Sequence, residues 1–402
     1  MSRERINFAY LNAGHFLDHL FVLIFATVAA LRLSNEWGMT YAELIPYATP
    51  GFVAFGVCAI PAGWLADKWS REGMMTIFFI GAGICAIFTS MADTPLQIGA
   101  GLACVGVFAA IYHPVGIAMV VHGREKTGVP LAINGIFGNM GVAAAALITG
   151  FLIDATGWRT AYILPGALSI IIGVTYGLFV HAGRHERAAE AASGSSKAAA
   201  PMTIDKATLV RVFAIIFFST AIGGVIFQST TFALPKIFDE RLSDFADTAT
   251  TVGLYAFLVF SLAAFAQLAV GYLVDRYSVR LVFGIVAGLQ AVLFAVMVNL
   301  SGYWALVVSL GFMLVVFGQI PINDVLLGRI TRSEWRARAY AIRSIITFTV
   351  AASVVPMIAG IHAGWGFSVL FIVLAVSASL IFAAVLMLPS TAAVTGQAGA
   401  AK

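Results

Sequence analysis

Charge is what this sequence has least of. Asp, Glu, Lys and Arg make up 10% of its 402 residues while 60% are hydrophobic, against about 25% charged in ordinary soluble domains. A soluble fold could not hide that much apolar surface. Cysteine is nearly missing too: Cys58, Cys85 and Cys104 all lie in apolar stretches, are odd in number and lack metal-type spacing, so a disulfide framework is not expected. No G-x-x-x-x-G-K-[ST] loop is present, which leaves no phosphate cradle for an ATP-driven pump. The alternating apolar and polar decamers of a membrane β-barrel are absent as well. The net charge of +4 does not make a basic face, because the bases are dispersed among loops, so no nucleic-acid partner is expected.

What is there is a succession of apolar runs, each near the length of about 20 residues that a spanning helix needs. They cover approximately 8–33, 44–66, 74–92, 96–121, 129–153, 158–181, 209–235, 250–273, 281–300, 303–328, 339–361 and 366–388. The expected fold is therefore an all-α membrane protein with twelve transmembrane helices, since helices satisfy their own backbone hydrogen bonds in lipid. With a cytoplasmic N-terminus, every Lys and Arg falls on the cytoplasmic side except Arg32, Arg159, Lys236, Arg241 and the intrahelical Arg343. That bias places both termini in the cytoplasm of a bacterial-type inner membrane. Arg3 and Arg5 before an apolar run resemble a signal sequence, but His15, Asp18 and His19 inside the run mark it as an uncleaved first helix.

The longest hydrophilic stretch separates the sixth run from the seventh, which divides the chain into a six-helix bundle at 1–183, a linker at 184–207, a second bundle at 208–388 and a small, polar, disordered tail at 389–402. The halves repeat. Gly63-Trp64-Leu65-Ala66-Asp67-Lys68-Trp69-Ser70-Arg71 recurs 208 positions later (271 − 63) as Gly271-Tyr272-Leu273-Val274-Asp275-Arg276-Tyr277-Ser278, followed by Arg280. Parallel six-helix repeats about an axis normal to the membrane are a known transporter architecture.

The first copy resembles the G-x-L-a-D-[RK]-x-G-R-[RK] signature of the major facilitator superfamily at Gly63, Leu65, Ala66, Asp67, Lys68 and Arg71, with Ser70 and Glu72 replacing the usual Gly and base. The resemblance implies two pseudo-symmetric bundles around a central cavity lined by the first, fourth, seventh and tenth helices. It also implies a cytoplasmic gate, with Asp67 facing the start of the eleventh helix and Asp275 facing the fifth. A carboxylate at a helix N-terminus meets the positive end of the helix dipole, and Lys68, Arg71, Arg276 and Arg280 supply bridging charge; simple anchoring of loops at the headgroups is the plainer alternative. Gly14-His15, Tyr112-His113-Pro114 and Gly138-Asn139-Met140-Gly141 are similar to the fosmidomycin-resistance type of exporter within that superfamily.

An ionisable group at the bilayer centre costs at least about 2.5–3.5 kcal/mol, so each is a candidate functional residue. His15, Asp18 and His19 stand at i, i+3 and i+4 on one face of the first helix, and His113 and Tyr112 of the fourth reach similar depth. Three readings stay open for this cluster: proton coupling or substrate binding, structural packing, and a metal site formed by His15, Asp18, His19 and His113. In the second half Gln228 of the seventh helix, Gln319, Asn323 and Asp324 of the tenth and Arg343 of the eleventh are candidates. Asp324 and Arg343 either pair with each other, or Arg343 anchors an anionic substrate through its bidentate fork. Gln228 to Thr231, with Pro235 beyond, read as an interruption of the seventh helix.

The expected function is secondary active transport of a small organic solute, such as an organic anion or drug, by alternating access, coupled to a proton or another ion. The exporter-like fragments favour export. A divalent transition-metal transporter and a non-transporting membrane receptor are the alternatives. A monomer without a cofactor is expected, and not an enzyme, because no nucleophile accompanies His15 and Asp18.

Overall fold

The computed structural model describes residues 2–122, 124, 128–183, 206–330 and 333–389. Almost all of the expected linker and the expected tail lie outside these. Every regular element among the described residues is helical, and eleven helices are long and apolar enough to cross a membrane. They are α1 (Arg3–Trp37), α2 (Tyr41–Lys68), α3 (Arg71–Thr89), α4 (Pro95–Val121), α5 (Gly128–Ala155), α6 (Thr160–Ala182), α7 (Leu209–Arg241), α8 (Ala249–Arg276), α9 (Val279–Met297), α10 (Gly302–Leu327) and α11 (Ile345–Leu386). The last runs for 42 residues but is broken at Gly366, whose φ of 69° and ψ of −171° are not helical. A spanning length remains on each side, so the eleventh and twelfth expected spans form one element with a glycine corner.

The helix ends follow from the sequence. Thr94 caps α4 through a capping box with Gln97, and the repeated loop motif ends each time in a serine that does the same work. Ser70 Oγ accepts from Gly73 N at the start of α3, and Ser278 Oγ accepts from Leu281 N at the start of α9. Such a cap satisfies one of the amides that a helix leaves orphaned. The serine that departs from the superfamily signature is thus a structural choice made in both halves.

Two features differ from the sequence expectation. The seventh helix is not interrupted at Gln228–Thr231: an α-helix runs from Lys206 to Arg241 with Pro235 inside it. The hydroxyls of Thr230 and Thr231 donate to the carbonyls of Ile226 and Phe227 one turn earlier, so their polarity is consumed within the helix. Conversely, α4 is not uniform, because Tyr112–Gly116 forms a π-helical turn. Pro114 brings no N–H to the ladder, and the widened turn changes the direction in which His113 projects.

The chain divides into two compact units, Met1–Ser196 with Phe238–Leu258, and Lys197–Ile237 with Val259–Lys402. In the first unit α1 packs along α5, α3 along α6 and α4, and α2 along α4. The apolar window of α1 is 67% buried, whereas those of α2 and α6 are 28% buried. Helix α1 is therefore an interior element, and its polar face is held inside protein. In the second unit α9 packs along both α10 and α11.

Candidate functional site

The polar face of α1 meets α4 and α5 in the first unit. Asp18 is fully buried and His15 is 7% exposed, with His19 partly buried beside them. From α4, His113 Nε2 stands 3.4 Å from Asp18 Oδ2. That is an ion-pair distance, yet among the described residues no hydrogen bond reaches either oxygen of the carboxylate. The four residues singled out in the sequence are thereby brought together, with Asp18 and His113 meeting across 95 positions (113 − 18).

The fifth helix completes the arrangement. The Nδ1–H of His15 donates to the backbone carbonyl of Asn134 at 2.8 Å; a carbonyl can only accept, so the proton of the neutral ring is on Nδ1. Its Nε2 is left as a lone pair, 3.2 Å from Nε2 of His19. The ring of His15 stacks on Tyr112, with centroids 4.8 Å apart, and the rings of His15 and His19 both stand edge-on to His113 at 5.4 and 5.5 Å. The ring of Phe55 also meets His113 edge-on, with centroids 5.9 Å apart.

Tyr112 is a support of this cluster. It is fully buried, its hydroxyl donates to the Leu11 carbonyl at 2.9 Å, and it accepts from Asn134 Nδ2 at 2.9 Å. The same amide donates to Asn12 Oδ1 at 2.9 Å. Asn134 was not among the residues the sequence suggested. The fifth helix carries two amides, Asn134 and Asn139, and the signal for Asn134 was its place one turn before Gly138 and two before Gly141, so that the three form a single stripe. A Cβ at Gly138 would lie 2.6 Å from His15 Nε2, and one at Gly141 would collide with the backbone of Phe16. Glycine at these two positions is what lets the ring of His15 reach the Asn134 carbonyl.

One nitrogen from each of His15, His19 and His113 lies within 4.8 Å of the others, a grouping compatible with a metal ion.

In the second unit the candidates are joined to residues the sequence reading passed over. Gln319 accepts from Gln290 Nε2 at 2.8 Å, and Asn323 accepts from the Ser219 hydroxyl at 3.0 Å; both Gln290 and Ser219 are fully buried. Nε2 of Gln228 is buried without a hydrogen bond among the described residues. Arg343 is partly buried, while the side chain of Asp324, its expected partner, lies outside the described residues. In the repeated loops, Arg71 pairs with Asp67 at 2.8 Å across the turn between α2 and α3, Gly63 lies against Pro114, and the guanidinium of Arg276 covers the ring of Tyr272 at 4.3 Å. Lys68 ends α2 and Gly271 lies in the last two turns of α8, with Asp275 at the end of α8 and Arg280 at the start of α9 exposed.

The family model described as Major Facilitator Superfamily matches residues 11–262 and 216–402. Among curated proteins, the chain is 23% identical to the 4-hydroxybenzoate transporter PcaK of Pseudomonas putida over 67% of its own length and 66% of that protein. It is 31% identical to the putative niacin/nicotinamide transporter NiaP of Bacillus subtilis over 34% of each chain, and 27% identical to a probable hexose phosphate transport protein of Chlamydia trachomatis over 37% and 33%. The matched regions thus span less than two thirds of these relatives. Among solved structures, a D-xylose–proton symporter superposes with a TM-score of 0.71 at 13% identity, covering 96% of this chain and 98% of that one. A bacterial homologue of the lysosomal transporter Spinster, inward-facing and unoccupied, superposes with a TM-score of 0.70 at 14% identity, covering 96% and 95%. At these identities the solved structures speak to the fold.

Proposed function

The chain belongs to the major facilitator superfamily, and from that premise we propose that it is a secondary active transporter that moves a small organic solute across a bacterial inner membrane by alternating access, coupled to protons. The observation that carries this reading is Asp18, a fully buried carboxylate in a membrane span with His113 at 3.4 Å. An isolated charge there costs several kcal/mol unless a cation neutralises it. A carboxylate that must gain or lose a positive partner whenever its surroundings change is a device through which an ion gradient can do work on a conformational equilibrium. His113, 30% exposed, is the partner with access to the outside of the cluster.

An organic anion is the solute class favoured here, because the relatives are named for 4-hydroxybenzoate and hexose phosphate. Arg343 is the group assigned to its carboxylate or phosphate, and the amides of Gln228, Gln319 and Asn323 are assigned to its neutral polar atoms. The duplicated loops, with Asp67, Lys68 and Arg71 in one and Asp275, Arg276 and Arg280 in the other, are assigned the cytoplasmic gate. The exporter-like fragments point to efflux and the names of the relatives to uptake, so the test must not depend on direction.

Purified protein in proteoliposomes preloaded with 4-hydroxybenzoate, nicotinate or a hexose phosphate should show counterflow of the matching labelled solute. In Asp18→Asn, accumulation driven by a pH gradient should disappear while counterflow persists. Gradient-driven accumulation that survives this substitution would refute the coupling role, and lack of counterflow across a broad panel of organic anions would refute the solute class.

A further inference from the structure

We propose that His15, His19 and His113 form a binding site for one divalent late first-row transition-metal ion, with Asp18 supplying the balancing charge. The inference goes beyond the transport reading and does not depend on which organic solute is carried. It begins from the directions of the lone pairs. The Asn134 carbonyl fixes the His15 proton on Nδ1 and so turns a lone pair on Nε2 toward His19. A backbone carbonyl holding the far nitrogen of an imidazole in this way is the usual outer partner of a metal-binding histidine, because it sets both tautomer and ring orientation. Beside His113 stands the other usual type of outer partner, a carboxylate, at ion-pair distance and not yet hydrogen-bonded: Asp18 Oδ2 is 3.4 Å from its Nε2. With Nε2 turned to the acid, Nδ1 is the nitrogen left for an ion.

The spacing fits. Zinc–imidazole bonds of about 2.0–2.1 Å put two nitrogens of a tetrahedral ion about 3.4 Å apart. His15 and His19 already present theirs at 3.2 Å, and one ring nitrogen of His113 lies within 4.8 Å of a ring nitrogen of each of the other two. His113 is 30% exposed and sits on the π-helical turn, so it is the one that would turn inward. Without a metal, the proton of His19 can bridge to the His15 lone pair. A metal ion takes that place with the His19 proton moved to Nδ1, so that both imidazoles stay neutral, and it gives Asp18, which no hydrogen bond reaches among the described residues, a positive charge to balance.

The donor set selects the class of ion. Three imidazoles and a carboxylate suit Co²⁺, Ni²⁺, Cu²⁺ and Zn²⁺, whereas Mg²⁺ and Ca²⁺ want oxygen and Cu⁺ wants sulfur. Aromatic walls from Tyr112 and Phe55 limit water and would strengthen such coordination.

The experiment is a Co²⁺ titration of chelator-treated, purified full-length protein, followed by visible absorption, bound-metal analysis and thermal melting. One Co²⁺ per chain, with the d–d bands of nitrogen-ligated cobalt and a raised melting temperature, is expected. His19→Gln and His113→Gln should each weaken binding at least about tenfold, and Asp18→Asn by about 10–100-fold, the range typical of outer partners. Glutamine keeps a polar side chain in place, and melting without metal checks that each variant is folded. His181→Gln, on an exposed residue, should bind as the parent does. Absence of bound cobalt in the parent protein, or bands that survive His19→Gln combined with His113→Gln, overturns the proposal. Counterflow on the same parent preparation separates the two readings: solute exchange without metal binding overturns this inference alone, and metal binding without exchange overturns the transport reading alone.

Discussion

Asn134 carries three contacts from one position. Its carbonyl orients His15, and its amide nitrogen serves both the Tyr112 hydroxyl and Asn12. Asn134→Leu would keep the carbonyl, fill a similar volume and leave two buried acceptors without a donor. An orphaned buried polar group costs about 1–3 kcal/mol, so a clear fall in melting temperature is expected, together with impaired solute exchange. An unchanged melting curve would show that this network does not hold α1, α4 and α5 together. The acid at the centre behaves differently, because Asp18→Asn removes a charge without removing bulk. It is expected to leave melting unchanged or raised, since a buried charge with imperfect compensation is itself destabilising, while abolishing gradient-driven transport.

Between helices the decisive positions are glycines. A methyl group at Gly138 would press on the His15 ring at 2.6 Å, whereas at Gly135, three residues earlier on the same helix, it meets nothing within 4 Å. Gly138→Ala should therefore cost transport and stability, while Gly135→Ala should be neutral or stabilising by up to about 1 kcal/mol from helix propensity alone. The pair is read by transport rate and thermal melting on the same preparations, and equal effects at both positions would contradict the packing described here. The turn between α2 and α3 allows a similar contrast. Loss of the cap in Ser70→Ala should cost about 0.5–2 kcal/mol. The exposed Asp67–Arg71 pair is worth only about 0–1 kcal/mol. If Asp67 acts in a gate, Asp67→Asn should reduce transport far more than it reduces stability; parallel losses would make it an ordinary helix-end residue.

For the whole molecule, the distribution of Lys and Arg predicts which side each loop faces. A single cysteine introduced at Ser195, in a background lacking Cys58, Cys85 and Cys104, should react with a membrane-impermeant maleimide only in inverted membrane vesicles or broken cells. Labelling in intact spheroplasts would reverse the proposed orientation. The same experiment at Asn35, just beyond the π-helical turn that α1 forms at Ala29–Leu33, should give the opposite pattern. These results would bear on the two-bundle organisation with a cytoplasmic linker, which the hydrophilic stretch between the sixth and seventh spans suggests.

Composition, spacing and repetition settled the class, the spans and the family resemblance, because hydropathy adds up along a chain and a helix needs only its own backbone to form in lipid. The loop duplication was legible for the same reason, being a comparison of local strings. So was the single face shared by His15, Asp18 and His19, since a helix of 3.6 residues per turn fixes it. The arrival of His113 beside Asp18 was foreseen only through the resemblance, and Asn134 not at all. Their contacts join positions about a hundred residues apart and depend on how closely α5 approaches α1, which two glycines decide by having no side chain. The π-helical turn at Tyr112–Gly116 escaped the sequence because a proline in a membrane helix can bend, break or widen it, and the neighbouring helices choose. The seventh helix was misjudged for the matching reason: its Thr hydroxyls look like a polar break in the sequence, but in the folded protein they are spent on the carbonyls of their own helix. Tertiary packing alone determined which polar side chains were consumed locally and which, like the three imidazoles around Asp18, were left facing one another.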